Sequence, residues 1–328
     1  MNILFSADYH LKLNTKNIPD SWAIKRYRIL FQELYSLEEQ VDMHIIGGDI
    51  FDKLPSMQEL ELYFEFISKC SIKTIIYPGN HEALKKNTTF LTHLKEVTNR
   101  INPLVSIVDN YFTYFDHSKE YSKTPVFNII PYNLLKEYEK DPVQFHADIL
   151  FTHVRGEIPP HVKPEVPLEL FDRWKVVLAG DLHSYANCQR NILYPGSPIT
   201  TSFHRNLVDT GVIIIDTTTF SHRFIRLEVP QLIRKTIKVG EPMLATEYHH
   251  TVYEVEGDMS DLHLVEESDL IDKKISKRDN DTALILSKDM TIQDELNEYL
   301  EYILQIPPES IEKVMKEFND NIKDFGVV

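Results

Sequence analysis

The sequence predicts an α/β protein: an α/β/β/α sandwich, two facing sheets under outer helices, followed by a small C-terminal α+β capping domain. Three observations lead there. Apolar runs alternate with amphipathic helical stretches over residues 2–77, which implies a parallel sheet covered by helices. From residue 105 the rhythm shortens to closely spaced strand-like runs, which implies a second sheet packed on the first. Past residue 228 the composition turns strongly acidic, which marks a separate tail.

Residues 2–7 form a short apolar run ending at Asp8, as a buried strand does. Over residues 21–41, Ile24, Tyr27, Leu30, Phe31, Leu34, Leu37 and Val41 fall at helical spacing. A strand over 43–47 runs into Gly48 and Asp49. Ser56 and Glu59 form a capping-box pattern ahead of Leu60, Tyr63, Phe64 and Ile67, and residues 72–77 make a third strand ending at Pro78, Gly79 and Asn80. Further strands are expected at 105–108, 111–115, 126–130, 149–151, 176–179, 191–194, 211–215 and 224–227.

A boundary near Val229 and Pro230 divides the chain into residues 1–228 and 229–328. In the second part, residues 252–255 and 283–287 are strand-like, and the charged stretch 272–281 reads as a loop. Thr291 caps a helix carrying Ile292, Leu296, Tyr299, Leu300 and Ile303. Ser310 is placed to cap a last helix with Ile311, Val314, Met315, Phe318 and Ile322 on one face, which either covers the tail domain or binds a partner.

With 328 residues, 42% of them hydrophobic, the chain can bury a substantial core. It has no uninterrupted apolar run long enough to span a bilayer, and its first residues lack the basic start and apolar stretch of a signal peptide. A cytoplasmic protein with no membrane association is therefore expected. Cys70 and Cys188 supply neither a disulfide framework nor a CxxC pair, which fits a reducing compartment. The net charge of −15 argues against a simple nucleic-acid binder, yet its distribution softens the objection. Residues 229–328 hold 11 Lys and Arg against 22 Asp and Glu, a net of −11, and residues 1–228 carry only −4. Two divalent cations would bring that first part to neutrality.

Five fragments place hard oxygen or imidazole donors just after apolar runs: Asp8-Tyr9-His10, Gly48-Asp49, Gly79-Asn80-His81-Glu82, Thr152-His153 and Gly180-Asp181-Leu182-His183. Asp8 and His10 are two residues apart and can share a face. A carboxylate such as Asp49 can bridge two cations, Asn80 offers a neutral carbonyl oxygen, and His153 and His183 offer imidazoles. Nitrogen and oxygen donors without thiolate favour Mn²⁺, Fe²⁺ or Mg²⁺-like chemistry over structural zinc. Each fragment alone has a plainer explanation: a surface strand end for Asp8 and His10, a turn cap for Asp181, a structural histidine for His81. Together, in this order, they point to a two-metal phosphoesterase.

These motifs closely resemble the calcineurin-like metallophosphoesterases, whose pattern runs D-x-H, G-D-x-x-D, G-N-H-[ED], H and G-H-x-H. The chain is most similar to the SbcD-type nuclease subunits of DNA double-strand-break repair, on the strength of Gly48-Asp49-Ile50-Phe51-Asp52, Tyr194-Pro195-Gly196-Ser197-Pro198 and the small tail domain. The resemblance implies that Asp8, His10, Asp49 and His183 bind one ion and that Asp49, Asn80, His153 and Asp181 bind another. His81 would protonate or orient the leaving oxygen while an activated water attacks phosphorus in line. It further implies Mn²⁺ as the favoured ion with Mg²⁺ as the substitute, DNA as substrate, an SMC-like ATPase of SbcC type as partner, and a homodimer. Asp181 departs from the pattern, which has His there. Three anionic ligands against two dications leave the shell near +1 rather than +2.

Around these motifs, Asp52 reads as a loop cap and the 194–198 segment as a turn beside the substrate. His204 and Arg205, or Lys85 and Lys86, can meet a phosphodiester, although solvated loops explain them equally well. Two other functions fit the same residues: a nucleotide phosphodiesterase or phosphoprotein phosphatase of the same superfamily, and a metal-bearing regulatory scaffold.

Overall fold

The structure, a computed structural model, describes residues 1–84, 88–116, 125–244, 248–276, 290–304 and 306–324; Lys85, Lys86 and the expected strand at 283–287 lie outside these. The chain begins β1 (Asn2–Ser6), α1 (Asp20–Glu38), β2 (Met43–Ile46), α2 (Met57–Lys69), β3 (Lys73–Ile76), α3 (Lys95–Ile101) and β4 (Val105–Ile107). It continues through β5 (Phe112–Phe115), β6 (Pro125–Ile130), α4 (Tyr132–Lys140), β7 (Ile149–His153), β8 (Val176–Gly180), β9 (Ile192–Leu193), β10 (Gly211–Asp216) and β11 (His222–Arg226). The last elements are β12 (Leu232–Lys238), β13 (His250–Gly257), α5 (Met259–Leu262), β14 (Ile271–Ser276), α6 (Ile292–Glu298), a π-helical turn at Tyr299–Ile303 and α7 (Pro308–Asp324).

Side-chain alternation along each strand builds the layers. The first sheet has the order β11-β10-β1-β2-β3-β4, with β1 to β4 parallel and β10 antiparallel to both β1 and β11. The second has the order β5-β6-β7-β8-β9, parallel except for β5. Ile3, Phe5, Met43, Ile45, Ile75, Ile213 and Ile215 of the first sheet share one core with Phe127, Ile129, Ile149, Phe151 and Leu178 of the second. The alternate residues Leu4, Ile46 and Ile76 face outward onto Leu30, Phe31 and Leu34 of α1 and Leu62, Tyr63 and Phe66 of α2. On the far side, Ile130, Leu150, Val177 and Ala179 pack with Leu135 and Tyr138 of α4 and with Trp174. The result is the four-layer sandwich that the alternation and the shortened rhythm predict.

Ser56 caps α2 as expected: its hydroxyl accepts from the Glu59 amide at 3.3 Å, and the Glu59 carboxylate accepts from the Ser56 amide at 2.6 Å. Thr291 caps α6 through a capping box with Asp294. The last helix starts at Pro308, so Ser310 lies inside its first turn instead of capping it. A proline suits the first helical position because its missing N–H has no partner to lose there.

A three-stranded sheet, β12-β13-β14, corrects the reading of residues 272–276 as loop. That strand is too charged to show an apolar alternation, and ion pairs hold it instead. Lys273 reaches the buried Glu254 at 2.9 Å, and Asp272 meets Arg234 at 2.7 Å. The chain separates into two compact units, Met1–Glu256 with Val265–Lys274, and Gly257–Leu264 with Ile275–Val328. Residues 229–256 thus cluster with the larger unit, whereas the change in composition puts the boundary at 228/229.

Phe151 stands in the inter-sheet core with its ring 5.4 Å from Phe5 and 5.2 Å from Phe127. Phe151→Ala is expected to cost about 3–5 kcal/mol of unfolding free energy, read by urea denaturation; a loss under about 1 kcal/mol would contradict a shared, close-packed core.

Candidate metal centre

All five motif fragments emerge at carboxyl ends of parallel strands, where the two sheets bring their loops together. Asp8 and His10 follow β1, Asp49 follows β2, Asn80 and His81 follow β3, His153 ends β7, and Asp181 and His183 follow β8. The β1–β2 ladder continues into the loops: the Asp8 amide donates to the Gly48 carbonyl at 3.0 Å, the His10 amide to Asp49 at 2.9 Å, and the Leu11 amide to Ile50 at 2.7 Å. The Tyr77 hydroxyl donates to the Thr152 carbonyl at 2.7 Å, tying the first sheet to the second directly beneath the site. Asp8, His10, Asp49 and Asp181 all hold positive φ, at 60°, 46°, 52° and 102°. For residues with a Cβ this conformation costs on the order of 1 kcal/mol each, strain that gathers at functional sites.

Three donor groups result, each with its ligand atoms within 4.8 Å of one another: Asp8, His10 and His183; His10, Asp49 and His81; Asp8, Asp49 and His153. Asp49 Oδ2 lies 3.4 Å from His153 Nε2, 3.7 Å from His10 Nε2 and 3.9 Å from His81 Nε2. Asn80 Oδ1 lies 2.8 Å from His153 Nε2. Asp181 belongs to none of the three groups among the described residues; its Oδ1 is 4.0 Å from His153 Nε2, and Arg155 engages both of its oxygens.

The chemistry of the donor set fits divalent cations. His153 Nδ1 lies 2.8 Å from the Gly47 carbonyl, so Nδ1–H donates to it and Nε2 faces acceptors, Asn80 and Asp49 nearest and Asp181 farther off. Although burial opposes charge on His153, Asp49 beside it draws its pKa well above the usual histidine value. Nearby, His10 Nε2 and His183 Nε2 point at one another 3.1 Å apart, and the buried His10 Nδ1 has no hydrogen-bond partner among the described residues. Burial pushes the His10 imidazole down to about 3 and lowers His183 as well, so both present lone pairs. Asp8 is driven up by burial, whereas Asp49, despite burial, is held below the carboxylate range by His153.

Motif spacing passes over the residue that organises two of these loops. Glu82, wholly buried, accepts from the amides of Asp49 at 2.9 Å and Gly79 at 2.8 Å through Oε2, and from Phe51 at 3.0 Å through Oε1. Burial, reinforced by Asp49, pushes its carboxyl up to about 7 in spite of the amides. Only its place in the Gly79–Glu82 motif could have flagged it. Gly79 is obligatory for a different reason: a Cβ there would strike Asp49 Oδ1 and the His153 ring.

Asp52, expected as a cap, contributes its carbonyl, 2.6 Å from His81 Nδ1, while its carboxylate meets Lys12 at 2.8 Å. Ser197 of the 194–198 turn puts its hydroxyl 2.7 Å from the Asp8 carbonyl, and Thr201 puts its own 3.1 Å from His183 Nδ1. His204 lines a cavity of about 410 Å³ beside His183, together with Ser197, Thr200, Thr201 and Ser202. Arg205 turns instead to Glu254, at 2.6 Å.

Two substitutions separate donor from scaffold. Asp49→Ala, which removes the carboxylate central to the group, is expected to abolish stoichiometric Mn²⁺ uptake in equilibrium dialysis while leaving a folded protein. Glu82→Ala leaves three buried amides without their acceptor and is expected to cost about 3 kcal/mol or more in denaturant unfolding; a neutral result would show that Glu82 does not hold these loops together.

Comparison with known proteins follows the same lines. The calcineurin-like phosphoesterase family matches residues 1–185. A protein of Escherichia phage T5 named "Probable exonuclease subunit 1" is 40% identical over 337 aligned residues, covering 99% of this chain and 100% of its own length. A protein of Invertebrate iridescent virus 6 named as a phosphoesterase is 27% identical, covering 65% of this chain and 75% of its own. Among solved structures, an archaeal phosphodiesterase aligns with 69% of this chain and all of its own at 15% identity, with a TM-score of 0.37. No helix among the described residues is long and apolar enough to cross a membrane. By its family match and its full-length relative, this chain belongs to the calcineurin-like phosphoesterases.

Proposed function

We propose that the protein is the nuclease subunit of a DNA-processing complex, hydrolysing phosphodiester bonds with two divalent cations. The observation that carries this reading is the convergence of Asp8, His10, Asp49, His153 and His183 from both sheets, with His81 at the rim. The full-length similarity to a phage protein named as an exonuclease subunit supports DNA as substrate and a second subunit as partner. An SMC-like ATPase of SbcC type fits that role, and it would supply DNA affinity that a chain of net charge −15 lacks. A homodimer and a capping, DNA- and partner-binding role for residues 229–328 complete the proposal.

Asp8, His10, Asp49 and His183 would hold one cation, and Asp49, Asn80, His153 and Asp181 the other. Bound there, such ions lower the pKa of water and neutralise charge developing on phosphoryl oxygens. Oxygen and imidazole donors favour Mn²⁺, with Mg²⁺ as the alternative. His81 has a side chain 36% exposed, and the Asp52 carbonyl fixes its Nδ1 as a donor, leaving Nε2 at the rim. A proton held at His81 Nε2 can pass to the leaving oxygen of the scissile phosphate. The hydroxyl-lined cavity beside His183 offers neutral donors to the adjoining phosphate backbone.

End-labelled DNA incubated with Mn²⁺ or Mg²⁺, with and without the ATPase subunit, tests the proposal. Cleavage is expected with Mn²⁺, suppressed by EDTA and restored by adding the metal back. His81→Ala should retain bound Mn²⁺ and lose about 10²–10⁴-fold in rate. Turnover of a small diester with no cleavage of duplex or single-stranded DNA would favour the nucleotide phosphodiesterase instead.

A further inference from the structure

Asp181 stands where the family pattern has a neutral histidine, and its carboxylate is paired. Arg155 Nε donates to Oδ2 at 3.1 Å and Nη2 donates to Oδ1 at 3.2 Å, a fork-to-fork contact on an aspartate whose side chain is 6% exposed. The arginine is held in place from its own backbone. Its amide donates to Glu165 Oε1 at 3.1 Å, and the other oxygen of Glu165 accepts from the Tyr132 hydroxyl at 3.0 Å. Next in the chain, Gly156 lies so close to Gln189 and the Tyr194 hydroxyl that a Cβ would collide with both. Among the described residues the side-chain hydrogen bonds of the guanidinium go to Asp181, and the Glu165 carboxylate adds a weaker charge contact to it.

We propose that Asp181 and Arg155 work as one electrically neutral unit that takes the place of a histidine at the second cation position. The inference rests on the two-cation reading above. Each carboxylate oxygen has two lone-pair directions. Arg155 takes one on each oxygen, leaving another on Oδ1, which lies towards His153 Nε2 at 4.0 Å. Asp8, Asp49 and Asp181 set three negative charges against two dications. The guanidinium returns the shell to +2, the charge that a neutral imidazole at residue 181 would give. Arg155 is thus a positioning residue that acts through Asp181. Its charge loosens the second cation and preserves that cation's pull on phosphoryl oxygen.

Mn²⁺ binding to the intact protein, followed by the electron paramagnetic resonance signal of free Mn²⁺, tests this apart from activity. Arg155→Met keeps the apolar stem and removes the charge. It is expected to tighten the weaker of two Mn²⁺ sites about tenfold while slowing DNA cleavage about tenfold, because an opposing charge near the ion is gone. Adding Asp181→His to Arg155→Met should return both quantities towards the parent. Arg155→Lys, which keeps the charge without the fork, should leave Mn²⁺ affinity within about threefold of the parent by the same electrostatic argument, and it serves if the methionine variant does not fold. Two Mn²⁺ sites of unchanged affinity in Arg155→Met, with only a raised KM or a lowered Tm, would overturn the inference and make Arg155 a phosphate contact or a structural pair. A parent protein that binds a single Mn²⁺ would overturn the two-cation reading and the inference with it.

Discussion

Glu82 ties together two loops that leave neighbouring strands, and the rest of the centre depends on that tie. Its two oxygens take the amides of Asp49, Phe51 and Gly79, residues that no secondary-structure ladder would otherwise satisfy at these positions. With those amides fixed, Asp49 is turned so that one oxygen accepts the His81 amide at 2.9 Å and the other faces His10, His81 and His153. A buried carboxylate is costly unless its lone pairs are taken up by donors. In this centre the amide donors are also the backbone that must be held still, so one group meets both needs.

The same double use of contacts explains why the ligand loops tolerate left-handed backbone at Asp8, His10, Asp49 and Asp181. Strain of this kind persists only where surrounding contacts over-determine the conformation. The extended β1–β2 ladder, the Ser197 hydroxyl on the Asp8 carbonyl and the close approach of Gly79 to Asp49 and His153 supply those contacts. Beneath them lies the inter-sheet core of Phe5, Phe127 and Phe151, whose packing keeps the two sets of strand ends at a fixed separation. Hydrophobic burial thus sets the frame on which the donor atoms are placed.

Much of the fold can be read locally. The alternation of Ile3 and Phe5 with Leu4, the helical spacing of Tyr27, Leu30, Phe31 and Leu34, and the Ser56–Glu59 cap each encode an element within a few residues, and each forms where expected. The charged strand Ile271–Ser276 is different. Its pairing is carried by Lys273 on Glu254 and Asp272 on Arg234, partners that no window around residue 271 contains.

For the centre, residue type and local spacing establish the kind of chemistry: hard oxygen and imidazole donors, placed immediately after apolar runs, in an order that matches one enzyme family. That much is legible in the chain because strands deliver their carboxyl-end residues to one edge of a sheet. How the donors group, and what neutralises them, comes from tertiary packing alone. Asp181 meets Arg155 from 26 residues away, and Asp49 meets Glu82 from 33. Such pairs depend on the stacking of two sheets and the turn of each loop, which non-local packing fixes and local pattern does not record.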